Sequence, residues 1–246
     1  MSNKGSKTVV ITGASSGIGF ALAEAFLARG YNVVGNARTL ERLQAAAEHF
    51  TNSQNFLAVA GDISKPATAT ALFERAIAAF GKVDVLINNA GIFSSKAFID
   101  YTPEDLESQL DTNLRGFVFP SQAAAKHMSE RKQGHIISIS AAVALQPNRN
   151  TPATLPVLIK GGINQAVRAL ALELSPHNVK VTAVAPGIID TPLHDPQHAE
   201  FLKSLQPVGH VGQVRDIVDA VLYLADAEFT TGVVLAVDGG MSSGTW

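Results

Sequence analysis

Cysteine is absent from the 246-residue chain. That excludes disulfides, thiolate metal sites and thiol nucleophiles. Charge is sparse: 19 Lys and Arg stand against 21 Asp and Glu, for a formal net charge of −2. The densest basic stretch, SERKQG at 129–134, reads as a helix end turning into a strand, so no nucleic-acid partner is expected. Long apolar runs are lacking as well. None approaches the roughly 18 residues that cross a bilayer. The start, MSNKGSKTVVITG, has no charged-then-apolar leader pattern. The expectation is a cytoplasmic protein with no membrane partner and no metal site.

Hydrophobic residues make up 46% of the chain and charged residues 16%, a mix that suits a buried core. No repeat or linker interrupts residues 1–246, which predicts a single domain. β-Branched runs predict strands at 7–12, 31–36, 56–60, 83–87, 134–140, 178–185 and 233–237. Stretches of helical period predict helices at 17–29, 39–49, 67–80, 103–127, 156–174 and 213–225. The strands are apolar almost without alternation, as in a parallel sheet buried on both faces. The alternation of elements therefore predicts α/β class, a doubly wound sheet of about seven strands with ligands at its carboxyl edge. Residues 188–212, rich in Pro, His and Gly, read as an excursion over that edge with a short helix at 197–205.

The turn TGASSGIG (12–19) follows the first strand and opens the first helix. Gly13 and Gly17 let backbone approach a pyrophosphate, and Gly19 lets the helix pack closely on the strand. The helix amino end adds free N–H groups and a positive dipole. Gly13, Ser15, Ser16, Gly17, Ile18 and Gly19 are thus candidate nucleotide contacts. The spacing alone is a weak signal, since such a turn can be merely tight. NNAG (88–91), TNLRG around Asn113, APGIIDT (185–191) and a closing TTGVVLAVDGG follow in order. With them the chain resembles the short-chain dehydrogenase/reductase family over nearly its whole length. The resemblance implies a Rossmann-type fold and a nicotinamide dinucleotide. It sets adenine beside Asp62 and Ile63, and ribose beside Asn89, Ala90, Gly91 and Lys160. The nicotinamide falls beside Pro186, Gly187, Ile189 and Thr191. At the second strand end the carboxylate that would bind a 2′-hydroxyl is replaced by Ala37, followed by Arg38. A guanidinium there favours a 2′-phosphate, hence NADP(H).

The same resemblance implies a catalytic set of Asn, Ser, Tyr and Lys. Asn113 and Lys160 match. Ala141 stands at the serine position and Pro156 at the tyrosine position, four residues before Lys160. Ser140 is the substitute hydroxyl, although on a strand it points to the opposite face from residue 141. Thr154 lies in a loop longer than the family's. The three tyrosines, Tyr31, Tyr101 and Tyr223, occupy structural places. His194, His198 and His210 are candidate polar contacts of an apolar substrate pocket, or solvated loop residues. The helices at 103–127 and 156–174 expose small and apolar positions (Ala123, Ala124, Ala125, Gly161, Gly162, Ala166, Leu170), and the resemblance implies that copies pair through them in a homotetramer or homodimer. Two functions stay open: an atypical NADP(H)-dependent reductase of small apolar carbonyls, quinones or imines, and a non-catalytic NADP(H)-binding sensor or partner-binding protein.

Overall fold

A computed structural model describes residues 5–192 and 199–244. Seven strands form one parallel sheet: β1 (Thr8–Thr12), β2 (Asn32–Ala37), β3 (Phe56–Ala60), β4 (Val85–Asn88), β5 (Gly134–Ile139), β6 (Val179–Pro186) and β7 (Val234–Val237). Their order is β3-β2-β1-β4-β5-β6-β7. The winding reverses between β1 and β4, which opens a crevice at their carboxyl ends. Among the described residues, eight α-helices lie between the strands: α1 (Gly17–Ala28), α2 (Leu40–Ala47), α3 (Pro66–Phe80), α4 (Pro103–Gln109), α5 (Gly116–Arg131), α6 (Thr154–Leu174), α7 (Ala199–Ser204) and α8 (Val214–Asp226).

The period-two pleat sends neighbouring strand residues into separate cores. Val9, Ile11, Val33, Ile87 and Ile137 pack with Phe26 of α1, Leu43 of α2 and Val221 of α8. Val10, Val34, Leu86 and Ile136 pack on the other face with Phe73 of α3, Met128 of α5 and Ile163 of α6. Both faces are covered, which is why the strands read as unbroken apolar runs.

Three expectations need adjustment. The helix expected at 103–127 is broken by a π-helical turn at Leu110–Arg115, and α5 beyond it contains Pro120, which has no N–H to give. The helix expected from 156 begins at Thr154, so Pro156 falls in its first turn. Ala124 is buried in the sheet-facing core and is not part of an exposed face. The short helix near 197–205 is α7. The excursion that carries it is pinched at its base, where Asp190 N donates to Gly212 O and Gly212 N to Ile188 O, each at 2.9 Å.

His135 on β5 is buried, with Nε2 2.8 Å from Thr182 Oγ1. Burial, more than nearby Lys180, pulls its pKa from 6.5 to about 3. The unfolded chain therefore binds this proton at a higher pH than the folded chain does. The stability it contributes is whole above pH 6.5 and is lost as pH falls toward 3, by at most about 1.4 kcal/mol per pH unit. Denaturant titrations across this window should show that slope, and His135→Leu should flatten it whatever its own stability. Equal slopes in both proteins would assign the acid lability to other groups.

Candidate active site

The ends of β1 and β4 are stapled together. Thr12 Oγ1 accepts from the backbone N–H groups of Asn89 and Ala90, each at 3.0 Å. The Asn89 amide returns bonds to Thr12 O at 3.0 Å and Gly13 O at 3.2 Å. Gly13 turns with φ +69° and Gly17 with φ +54°, conformations that suit glycine. A Cβ on Gly19 would meet Gly13 O at 2.1 Å, so helix and strand approach as closely as glycine permits. Ser16, the residue preceding α1, makes no side-chain bond to the helix end. A Cβ on Gly17 would meet nothing nearer than Thr191, at 3.8 Å. This cradle fits a pyrophosphate, whose charge would complement the α1 amino end.

A cavity of about 760 Å³ runs from this turn along the carboxyl edge of the sheet. Every candidate nucleotide contact lines it except Gly19, which lies beneath the turn. Ala37, the last residue of β2, and Arg38 after it line the cavity at that strand end. Asp62 accepts from Ser64 N at 2.9 Å, and that bond, with Lys65 and Arg38 nearby, holds its carboxyl below the usual range. Arg42, on the exposed side of α2, joins Arg38 in the wall. The sequence reading missed it, although R-x-x-x-R was there to be seen.

At the other end, Lys160 Nζ donates to Ile139 O at 2.8 Å, and burial pulls its pKa to about 8. A Cβ on Gly91 would stand 3.0 Å from Asn113 Oδ1 and 3.5 Å from Lys160 Nζ, so these groups converge there. Asn113 lies in the π-helical turn. Its Oδ1 accepts from Ile92 N at 3.1 Å, and its Nδ2 donates to Ile92 O at 3.0 Å and Gln109 Oε1 at 2.5 Å. The irregular turn thus aims an amide that clamps the loop after β4. A second cavity of about 10 Å³ lies between Asn88, Asn113, Ser138 and Lys160, about the room of one water molecule.

Ser140 comes out differently from its expectation. Its residue borders the large cavity, but its hydroxyl turns toward α6 and donates to Asn164 Oδ1 at 2.6 Å. Strand alternation explains this: Ile136 points toward α6, and so does Ser140 four residues on. Ala141 borders the cavity, whereas Pro156 is buried and does not. Thr154 is exposed. Tyr31 packs edge-on against Phe26, Tyr101 donates to Ser94 O at 3.0 Å, and Tyr223 is exposed on α8; none borders the cavity.

Beyond Lys160 the wall carries the apolar Phe93, Val143, Ile188 and Met241, with Leu202 and Leu205 in and beside α7, and the polar Ser95, Asn150 and Thr151. His210 is exposed, its Nδ1 3.0 Å from Val211 O, and His194 and His198 fall outside the described residues. Among the described residues no His, Asp and Glu cluster suits a metal ion, and no helix is long and apolar enough to cross a membrane.

Comparison with known proteins agrees with this geometry. The family described as enoyl-(acyl carrier protein) reductase matches residues 13–242. A Thauera aromatica protein, (2S)-[(R)-hydroxy(phenyl)methyl]succinyl-CoA dehydrogenase subunit BbsD, is 35% identical over 242 residues, covering 96% of each chain. The 3-oxoacyl-[acyl-carrier-protein] reductase of Bos taurus is 34% identical over 235 residues, covering 96% of this chain and 98% of its own. The Brucella melitensis 3-ketoacyl-(acyl-carrier-protein) reductase complexed with NADH superposes with TM-score 0.90 at 32% identity, covering 96% and 98% of the two chains. ElxO with NADP bound superposes with TM-score 0.92 at 29% identity, covering 97% and 100%. Sheet order, glycine cradle and these likenesses converge: the chain belongs to the short-chain dehydrogenase/reductase family.

Proposed function

We propose that the chain is an NADP(H)-dependent oxidoreductase acting on a small apolar carbonyl, quinone or imine without a tyrosine acid. One observation carries this reading. A single continuous cavity joins the glycine cradle, the Lys160 ammonium and an apolar wall. The turn from Gly13 to Gly19 and the α1 amino end would take the pyrophosphate, Asp62 and Ile63 the adenine, and Asn89, Ala90, Gly91 and Lys160 the ribose. Pro186, Gly187, Ile189 and Thr191 would border the nicotinamide, which when bound supplies the hydride. Asn113 keeps the loop after β4 in place. Lys160 is the cation at the reacting end, and a pKa near 8 leaves it charged at neutral pH.

Magnitudes favour retained chemistry. A positioned general acid contributes roughly 10²–10⁴-fold, or about 3–5 kcal/mol. Proximity and orientation contribute more, about 7–11 kcal/mol. Loss of the phenol narrows the substrates to electrophiles that need little protonation. Pro156 and Ala141, where the family's tyrosine and serine would stand, favour a second reading: an NADP(H)-binding sensor or partner-binding protein with no turnover.

Pairing with further copies is part of the proposal. On α6, Leu158 is 69% and Leu172 79% exposed, and a Cβ on Gly162 would meet nothing within 4 Å. Light scattering at micromolar concentration should give a dimer or tetramer, and a monomeric mass would remove this part.

Arg38→Ala should lower NADPH affinity at least tenfold, since it removes charge-assisted bonds worth about 1.5–3 kcal/mol, and should barely change NADH. Equal losses for both nucleotides, read by nucleotide fluorescence, would refute the phosphate role. The double variant Pro156→Tyr with Ala141→Ser should raise turnover of an unactivated ketone far more than that of a quinone or iminium. If it folds, binds NADPH and turns over no ketone, and wild type reduces none of the panel, the non-catalytic reading takes first place.

A further inference from the structure

Asn150, Thr151 and Pro152 lie between β5 and α6, and the first two belong to the wall of the large cavity that also holds Lys160. The segment is anchored on two sides. Ser95 Oγ donates to Pro152 O at 2.9 Å. Ala153 is buried with Ala142, Val143 and Met241. Bonds to Asn148, from Asn150 N to Oδ1 at 2.8 Å and from Thr151 N to the carbonyl at 3.1 Å, set the turn between them. Within this pinned segment the Thr151 hydroxyl is sealed from solvent and has no hydrogen-bond partner. Buried hydroxyls are rarely left so, because the loss of water goes uncompensated. Nearby hydroxyls are committed, Ser140 to Asn164 and Ser95 to Pro152, while Lys160 gives one of its three N–H groups to Ile139 O.

We propose that Thr151 anchors the substrate's oxygen, its hydroxyl donating to a carbonyl or quinone oxygen that lies in the cavity alongside Lys160. The proposal rests on the reductase reading and narrows its substrate class. A single χ1 step of about 120° exchanges the hydroxyl and methyl of threonine, and a hydroxyl with no partner breaks no bond in turning. A substrate oxygen then sits between a neutral donor and an ammonium, the arrangement that stabilises negative charge growing on it. An iminium nitrogen has no lone pair to accept the bond, and the ammonium repels its charge. Oxygen electrophiles are therefore preferred over iminium ions. Threonine is too weak an acid to replace a phenol, so Thr151 holds and orients, and does not deliver the proton.

The test uses cyclohexanecarboxamide, a carbonyl that hydride does not reduce, titrated by calorimetry into protein saturated with NADPH. Thr151→Val keeps the shape and deletes the hydroxyl, while Thr151→Ser keeps the hydroxyl. The amide should bind the valine variant about tenfold more weakly and the serine variant within about threefold of wild type, with NADPH affinity equal in all three, the loss being about 1.4 kcal/mol. Amide binding to the valine variant as tight as to wild type overturns the proposal, and so does a wild type that binds NADPH but no amide. Failure of the underlying reading looks different: wild type then binds both ligands, with the valine loss intact, yet reduces no carbonyl. If wild type reduces ketones and Thr151→Val leaves kcat and KM unchanged, the anchor alone falls.

Discussion

The paired bonds between Thr12 and Asn89 are the constraint on which the cavity depends. β1 and β4 are neighbours in the sheet but far apart in sequence, and the chain winds away from them in opposite directions. A crevice at such a reversal stays open only if the two strand ends keep their spacing. One threonine hydroxyl taking two backbone N–H groups, and one asparagine amide reaching two carbonyls, fix that spacing to hydrogen-bond precision. The glycine turn at one side and the Asn89–Gly91 segment at the other are then held facing one cavity. Gly19 completes the lock from beneath, since any side chain there would drive α1 off β1. The same atoms that build the fold shape the cradle, so a fault at this point would reach stability and ligand binding together.

A similar economy governs the reacting end. The π-helical turn between α4 and α5 wastes helical hydrogen bonding, and Asn113 shows what is obtained in return: an amide directed sideways into the loop after β4. Insertions of this kind cluster at functional sites because they re-aim a side chain without moving the helix. Gln109 bridges Asn113 to Ser94 and extends the clamp along the loop. Lys160, one cavity wall away, is held by a strand carbonyl and not by a carboxylate. Its charge is left to act on whatever enters.

The parallel doubly wound sheet, most strand and helix positions and the glycine turn were legible in the sequence, because they follow from local signals, whereas the strand order was not. Apolar runs mark strands buried on both faces, and Gly13, Gly17 and Gly19 stand where the chain must turn or pack against backbone. The rest was not legible because it depends on distant partners. Nothing near 140 tells that Asn164 claims the Ser140 hydroxyl, and nothing near 109 signals a π-helical turn. Met241 reaches the cavity wall from the far end of the chain. The lengthened loop holds two threonines near the start of α6, Thr151 and Thr154. Thr154 is taken by the first turn of α6 and faces solvent, whereas Thr151, three residues earlier, borders the cavity. The two-residue earlier start of α6 decided which one.

That shift also bears on the meaning of Pro156. In the first turn of α6 a proline gives up no helical bond, so it stabilises a helix start that a longer loop would otherwise leave loose. Its ring is buried and away from the cavity. Pro156 thus fixes the beginning of the helix that carries Lys160, and the loop before it is left to form part of the cavity wall. The lysine keeps its place relative to the nucleotide cradle, while the polar groups that meet a substrate must come from the loop. On the proposed reductase reading, binding and orientation are retained on rigid elements, and proton supply by a phenol is the function given up. On that proposed reading the site selects its substrates by how little protonation they require, and the apolar side chains of Phe93, Val143 and Met241 further select them by how little water they keep.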